Sequence, residues 1–121
     1  MTAEDRLQIQ VAELLDWLAH AWRFMFFAVP NQRGNKTSVG AIMKLKRMGM
    51  KTGCPDIHID REGGQTFKIE LKVGKNKQSD KQVEYERECK RLGIGYHLCY
   101  SVDEVVKVME KEFNKKVSGG G

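Results

Sequence analysis

The 121 residues are enough for one domain that buries an apolar core without disulfides or structural metals. With 40% hydrophobic and 31% charged residues the chain has the composition of a globular protein, and its net charge of +5 mildly favours a polyanionic partner such as nucleic acid. The cysteines form no CxxC pair, which argues against a zinc site, and the longest apolar run, residues 24–29, is too short to span a bilayer.

The first half of the chain predicts two helices with a short strand between them. Apolar residues at helical spacing predict an amphipathic helix over residues 4–19. Residues 24–29 predict a buried strand, and a polar, glycine-containing loop follows over residues 32–37. Residues 39–48 predict a second helix. Its apolar stripe consists of Ile42, Leu45 and Met48.

The second half begins with a predicted β-hairpin. Residues 56–60 and 66–72 alternate apolar and polar side chains, which is typical of strands, and a loop over residues 62–64 joins them. The apolar side chains share one face if Ile57 pairs with Ile69. A slip of one residue would turn a whole set of side chains to the other face, so the alternation predicts this register.

A helix, a strand and a last helix follow the hairpin. Ser79 is the predicted N-cap of the first of these helices, with Gln82 as its capping-box partner. A strand is predicted over residues 96–100, and Ser101 with Glu104 predicts the cap of the last helix. The order α-β-α-β-β-α-β-α predicts an α/β fold in which helices flank a central mixed sheet, antiparallel through the hairpin and parallel at the last strand.

The predicted register brings two carboxylates together. Asp56 lies directly opposite Glu70, and Lys72 shares their face. Opposed carboxylates repel each other by up to about 1 kcal/mol, and a divalent cation between them removes the repulsion. Their hard oxygen atoms suit Mg²⁺, which would acidify a bound water and neutralise charge on a phosphate, while Lys72 would orient that water. The alternative is a solvent-exposed hairpin whose charged side chains only pair with their neighbours.

Pro55-Asp56, followed across the hairpin by Glu70-Leu71-Lys72, resembles the signature of the PD-(D/E)xK nuclease superfamily. This short signature lies within a longer match, and the matching segments together resemble the VRR-NUC subfamily over residues 4–108. The further matching segments are Ala3-Glu4 with Gln8, residues 29–31, residues 45–50, Ser79 with Gln82, and residues 95–104.

The resemblance implies a restriction-endonuclease-like core and a Mg²⁺-dependent endonuclease, with Mn²⁺ able to substitute. It implies that Asp56, Glu70 and the backbone carbonyl of Leu71 bind the metal. Lys72 would be the catalytic lysine, and Gln82 would support the site from the helix that follows.

Glu4 and Gln8 would complete the site from the first helix, again by resemblance. The alignment of this helix leaves Gln10 as an alternative to Gln8. Glu4 and Gln8 lie four residues apart on the stripe that contains Val11, and this spacing favours Gln8. Alternatively, Glu4 is an acidic residue of the first turn that interacts only with the helix dipole.

Short, stand-alone proteins of this subfamily are similar to phage and bacterial enzymes that cut branched DNA such as Holliday junctions. The resemblance therefore implies a role in DNA repair or recombination. Resolving a junction requires two symmetric cuts, whereas one chain carries one site, so we expect a homodimer. Two alternatives stay open, a nicking or restriction-type nuclease without branch preference and a catalytically silent DNA-binding module.

Two groups of basic residues are expected to contact the DNA backbone. The first group adjoins the predicted metal site, which favours a role in DNA binding. For the second group a solvated helix face is an equally good explanation. The groups are Lys75, Lys77 and Lys81, and Lys44, Arg47 and Lys51.

The unpaired cysteines fit a reducing compartment, so we expect a cytoplasmic protein, in the host cytoplasm if a phage encodes it. No apolar run predicts contact with a membrane. A single domain is expected over residues 1–117, followed by a flexible tail over residues 118–121.

Overall fold

The computed structural model describes residues 1–29 and 38–117. These residues follow the predicted order of helices and strands and form an α/β fold. The predicted loop over 32–37 and the tail over 118–121 lie outside the described residues. The elements are α1 (Ala3–Trp22), β1 (Phe24–Ala28), α2 (Val39–Arg47), β2 (Ile57–Arg61), β3 (Thr66–Leu71), α3 (Asp80–Arg91), β4 (Gly95–Cys99) and α4 (Val102–Phe113).

The strands lie in the order β1-β2-β3-β4 and form a mixed sheet, as predicted. β1, β2 and β3 are antiparallel to their neighbours, whereas β3 and β4 are parallel. Ile57 pairs with Ile69, so the predicted register of the hairpin is confirmed. The Arg61 N–H donates to the Gln65 carbonyl at 2.9 Å and closes the loop Glu62–Gly64, whose two glycines have positive φ angles.

α1 and α4 cover one face of the sheet and bury its apolar side chains. Each fully buried Leu, Ile or Phe side chain stabilises the fold by roughly 1.5–3 kcal/mol. Because strand residues alternate between faces, the polar residues of β2 and β3 point to the opposite face, on the side of α3. The main core residues are Leu7, Val11, Leu15 and Leu18 of α1, Ile57, Ile59, Phe67, Ile69 and Leu71 of the hairpin, and Val105 and Met109 of α4.

β1 is not the buried strand that the sequence predicts. Phe24 is buried, but Met25 is 71% exposed and Phe27 is 52% exposed. β1 lies at one edge of the sheet, and among the described residues it pairs only with β2. An apolar run of this length does not reveal whether both of its faces are covered, so the sequence could not distinguish an edge strand from a central one.

α2 also differs from the expectation. Its predicted apolar stripe is not buried, since Ile42 and Leu45 are only partly covered and Met48 is 72% exposed. No residue of this helix is buried. Ser38 caps its first turn by accepting from the Ala41 N–H at 3.2 Å. The apolar stripe of α2 is therefore not part of the core of the described residues.

The two predicted helix caps in the second half are present. Ser79 accepts from the Gln82 N–H and Gln82 accepts from the Ser79 N–H, which completes a capping box. The Ser101 side chain accepts from the Glu104 N–H. The Glu104 side chain accepts from the N–H of Tyr100 rather than from that of Ser101. In the described part of the chain, no helix has the length and apolar character needed to cross a membrane.

Candidate active site

Asp56 and Glu70 lie side by side on the face of the sheet opposite α1. Asp56 is fully buried and Glu70 is 1% exposed. The backbone pairing between β2 and β3 ends at Ile57. Beyond it, the side chain of Asp56 makes the next hydrogen bond to β3. Its Oδ2 accepts from the Leu71 N–H at 2.7 Å. This bond fixes the first carboxylate at the end of the strand that carries the second.

The segment before β2 is also fixed. Pro55 is buried, and the Asp56 carbonyl accepts from the Val29 N–H at 2.9 Å. Gly53 has a φ angle of +79°, and a Cβ there would lie 2.6 Å from a backbone atom of Lys81 at the start of α3. Only glycine allows this close approach, so the segment that leads into Asp56 lies directly against α3.

Glu70 accepts a hydrogen bond at each of its carboxylate oxygens. Gln82 Nε2 donates to Oε2 at 3.0 Å, and the Tyr96 hydroxyl donates to Oε1 at 3.3 Å. Gln82 is oriented by its own capping box, because its Oε1 accepts from the Ser79 N–H at 2.8 Å. The structure thus brings the predicted residue Gln82 to Glu70.

Sequence reasoning missed Tyr96 and Gln78. Gln78 Nε2 donates to the Tyr96 hydroxyl at 3.3 Å and to Glu86 Oε1 at 3.1 Å. This chain of hydrogen bonds orients the Tyr96 hydroxyl toward Glu70. The alternation of β4 could have placed Tyr96 on one face, but its parallel pairing with Lys68 depends on a non-local contact that the sequence does not reveal.

Glu70 has a raised pKa because it is buried beside Asp56. Burial raises the pKa of Glu70 to about 8, and the charge and hydrogen bond of neighbouring Asp56 act in the same direction. Lys72 and the Tyr96 hydroxyl oppose this rise. Ionisation of Glu70 beside Asp56 is therefore disfavoured in the absence of a cation.

The oxygen atoms at this site fit Mg²⁺. Because the N–H and C=O groups of one strand residue point the same way, the Leu71 carbonyl faces the side on which its N–H meets Asp56. Two carboxylates and one carbonyl suit a cation that keeps several waters and takes a substrate phosphate. No cluster of three or more His, Cys, Asp or Glu side chains occurs within 1–29 and 38–117, so a closed site made of side chains alone is not formed there.

Lys72 directly follows β3 and is half-buried. Its N–H donates to the Cys99 carbonyl at 3.0 Å, which continues the parallel pairing by one residue. Alternation then places its side chain on the face of Glu70, and its positive charge lowers the pKa of Glu70.

Glu4 and Gln8 are half-buried in the first two turns of α1, whereas Gln10 is exposed. This difference favours Gln8 over Gln10 as the residue that faces the protein. We find no hydrogen bond from Gln8 to Asp56 or to Glu70. The contribution of the first helix to the site therefore stays a prediction.

All six predicted DNA-contacting residues are exposed. Lys81 forms an exposed ion pair with Glu84 at 3.6 Å. An open cavity of about 640 Å³ lies elsewhere, between the end of α1 and the β1–β2 edge, where Arg23, Met25 and Asp60 line it. It contains none of the predicted catalytic residues.

No protein-family profile matches the sequence, and no curated protein does so either. Among solved structures, a VRR_NUC domain protein superposes on 96% of this chain and 92% of its own, with a TM-score of 0.69 and 21% sequence identity. A likeness at this level of identity establishes the fold. The chain therefore has the fold of a VRR-NUC domain.

Proposed function

We propose that this protein is a Mg²⁺-dependent endonuclease that hydrolyses phosphodiester bonds in branched DNA. The observation that carries the proposal is the buried pair Asp56 and Glu70, which repel each other when both are ionised. Apolar packing does not require such a pair, whereas a divalent cation does. The VRR-NUC fold and the net charge of +5 support the same conclusion.

Asp56, Glu70 and the Leu71 carbonyl would hold the metal. When bound, Mg²⁺ acidifies a coordinated water and neutralises charge on the phosphate. The Leu71 N–H fixes Asp56, and Gln82 fixes Glu70, so the ligand oxygens are oriented before DNA binds. Preorganised ligands of this kind lose little freedom when the substrate arrives.

Lys72 would hold the attacking water and a non-bridging phosphate oxygen by donating hydrogen bonds. As an ammonium group it has donors but no acceptor, so it stabilises charge that develops on oxygen during hydrolysis. Glu4 and Gln8 would complete the site from the first helix, as the resemblance implies. Lys75, Lys77 and Lys81, with Lys44, Arg47 and Lys51, would contact the DNA backbone.

Branched DNA and a homodimer form the finer part of the proposal. One chain carries one Asp56–Glu70 pair, and a junction with two-fold symmetry is matched by a protein with two-fold symmetry. Ile9 is 44% exposed and Trp17 is 67% exposed, both on α1, and they provide apolar surface for an interface. Cys54, Cys89 and Cys99 are free thiols, which supports a cytoplasmic location.

A panel of labelled DNA substrates tests the proposal. It contains a linear duplex, a flap, a splayed arm and a four-way junction, each incubated with Mg²⁺, Mn²⁺ or EDTA. We expect metal-dependent cutting with preference for the junction, and two copies of the chain per junction by light scattering. Equal cutting of all substrates would favour a nicking or restriction-type nuclease. Binding without cutting would favour a silent DNA-binding module.

A further inference from the structure

Phe27 and His58 form a stacked pair on the same face of the sheet as Glu70. The two residues are partners across β1 and β2, and their rings lie 4.7 Å apart at an interplanar angle of 12°. His58 is 7% exposed, whereas Phe27 is 52% exposed. Since β1 is a sheet edge in the described part of the chain, no further strand there covers the face of the Phe27 ring that is turned away from His58.

His58 is a buried support for the ring of Phe27. Its imidazole hydrogen-bonds the Pro55 carbonyl, while its Nε2 is buried without a partner among the described residues. The bond to Pro55 must therefore involve Nδ1. A buried nitrogen without a partner lowers the stability of the fold. Support of the Phe27 ring by the flat imidazole is a reason for a histidine at this position despite that loss.

The stacked pair lies beside the carboxylates. His58 is two residues from Asp56 along the chain, which is about 7 Å in a strand, and Phe27 is one strand further out, about 4.8 Å away. Together these spacings put the backbones of Phe27 and Asp56 roughly 8 Å apart. Stacked bases of one DNA strand are spaced about 3.4 Å apart, so this separation of the two backbones corresponds to about two base steps.

We propose that the open ring face of Phe27 is a platform on which an unpaired nucleobase stacks, one or two nucleotides from the cleaved phosphate. The inference rests on the proposed nuclease function. In an intact duplex the bases stack on each other and cannot reach the ring, whereas a branch or flap leaves bases free. Aromatic stacking accepts any base, which agrees with a chain that has no base-reading motif.

The lysines around the platform favour DNA over another protein as its occupant. Lys68 pairs with His58 across β2 and β3, and Lys72 lies further along the same face. Both are half-buried cations on the side where a DNA backbone would pass on its way to Asp56 and Glu70. The competing occupant is the β1 edge of a second copy of this chain, and the experiment separates the two.

Binding is measured in the non-cleaving Glu70→Gln background with two fluorescent DNAs. One carries 2-aminopurine as an unpaired base beside a branch, and the other carries it in a fully paired duplex. We expect Phe27→Ala to weaken binding of the branched DNA by roughly 5- to 150-fold and to leave duplex binding unchanged. It should also abolish the quenching of the unpaired 2-aminopurine. Phe27→Trp should retain both properties, because it keeps an aromatic face.

Met25→Ala is the matched control, because Met25 is an exposed apolar residue on the same face of β1, further from Asp56. We expect it to behave as the parent protein, and Phe27→Leu, which keeps apolar volume, to behave as Phe27→Ala. An unchanged preference for branched DNA in Phe27→Ala, with cleavage by the wild type intact, would overturn the platform alone. If Phe27→Ala loses the dimer but keeps the preference for branched DNA, the β1 edge serves self-association, and the platform proposal is overturned as well. A wild type that binds no DNA would overturn the nuclease proposal as well.

Discussion

Gln82 joins the N-terminus of α3 to Glu70. Its Nε2 donates to Glu70 Oε2 at 3.0 Å, while its Oε1 accepts from the Ser79 N–H at 2.8 Å. One side chain therefore completes a helix cap and holds a buried carboxylate. Because both ends of the amide are engaged, rotation of Gln82 would break one of the two bonds.

Gln82→Ala should affect both stability and cleavage. Loss of the capping box should lower the free energy of unfolding by about 1 kcal/mol, and loss of the bond to Glu70 should lower kcat by roughly 10- to 100-fold. Glu104→Ala is the matched control, because Glu104 makes a comparable bond to the Tyr100 N–H at the start of α4. It should lower stability by a similar amount without changing kcat. Equal loss of kcat in both variants would reduce the role of Gln82 to folding.

The stability of the metal-free protein should depend on pH through Glu70. Its pKa is about 8 in the folded protein against an ordinary 4.5, so between these values the folded state holds a proton that the unfolded state has lost. This stabilisation is complete below pH 4.5 and is lost as the pH rises through about 8. The lowered pKa values of His58 and His97 act in the opposite direction, so the wild type must be compared with a variant.

In EDTA, we expect the Tm of Glu70→Gln to exceed that of the wild type by an amount that grows from pH 6 to pH 9. The glutamine stays neutral, whereas Glu70 loses its proton over this range. The exposed residue Glu84 supplies the control Glu84→Gln, whose Tm difference should stay constant. A Tm difference for Glu70→Gln that does not change with pH would mean that Glu70 is already ionised beside Asp56.

Lys72→Ala should lower cleavage by roughly 100- to 1,000-fold, since it removes a donor that serves the developing charge on the phosphate. Lys72 is not a metal ligand, so calorimetric titration with Mn²⁺ should still show binding. Complete loss of Mn²⁺ binding in this variant would assign Lys72 a structural part in the metal site. Lys72→Arg, which keeps the charge, should recover part of the activity.

The double variant Lys75→Ala/Lys77→Ala should weaken DNA binding and reduce its salt dependence. Each phosphate contact that is lost should reduce the slope of log K against log salt by about 0.9 on duplex DNA. Lys115→Ala/Lys116→Ala removes the same charge beyond the end of α4, where the residues are also exposed. It should leave the slope nearly unchanged, and equal slopes in the two double variants would make Lys75 and Lys77 ordinary surface residues.

The hairpin register and the capping box could be predicted, because both depend on residues that are close in sequence. The alternation around Ile57 and Ile69 predicted the hairpin register, and the spacing of Ser79 and Gln82 predicted the capping box. Both depend on residues close in sequence whose side chains must share a face or a turn. The contact between Asp56 and the Leu71 N–H extends that register by one residue.

Two features that depend on distant contacts were not predicted. Tyr96 reaches Glu70 only because β4 pairs in parallel with β3, in a register that no local spacing encodes. The exposure of Phe27 follows from the position of β1 at a sheet edge. The apolar residues next to Phe27 in the sequence predicted a buried strand instead. The stacked pair of Phe27 and His58 escaped sequence reasoning for the same reason.

Cleavage of a labelled four-way junction by the wild type, Asp56→Asn and Glu70→Gln, each with Mg²⁺ and with EDTA, tests the central claim most directly. We expect cutting by the wild type with Mg²⁺ alone, and none by either variant, while both variants keep their fold and much of their affinity for the junction. Above the Glu70 pKa of about 8, their Tm values in EDTA should equal or exceed that of the wild type, because both carboxylates are then ionised and each variant removes one of them. Wild-type cleavage rates in both variants, or equal cutting in EDTA, would contradict a metal-dependent nuclease site at Asp56 and Glu70.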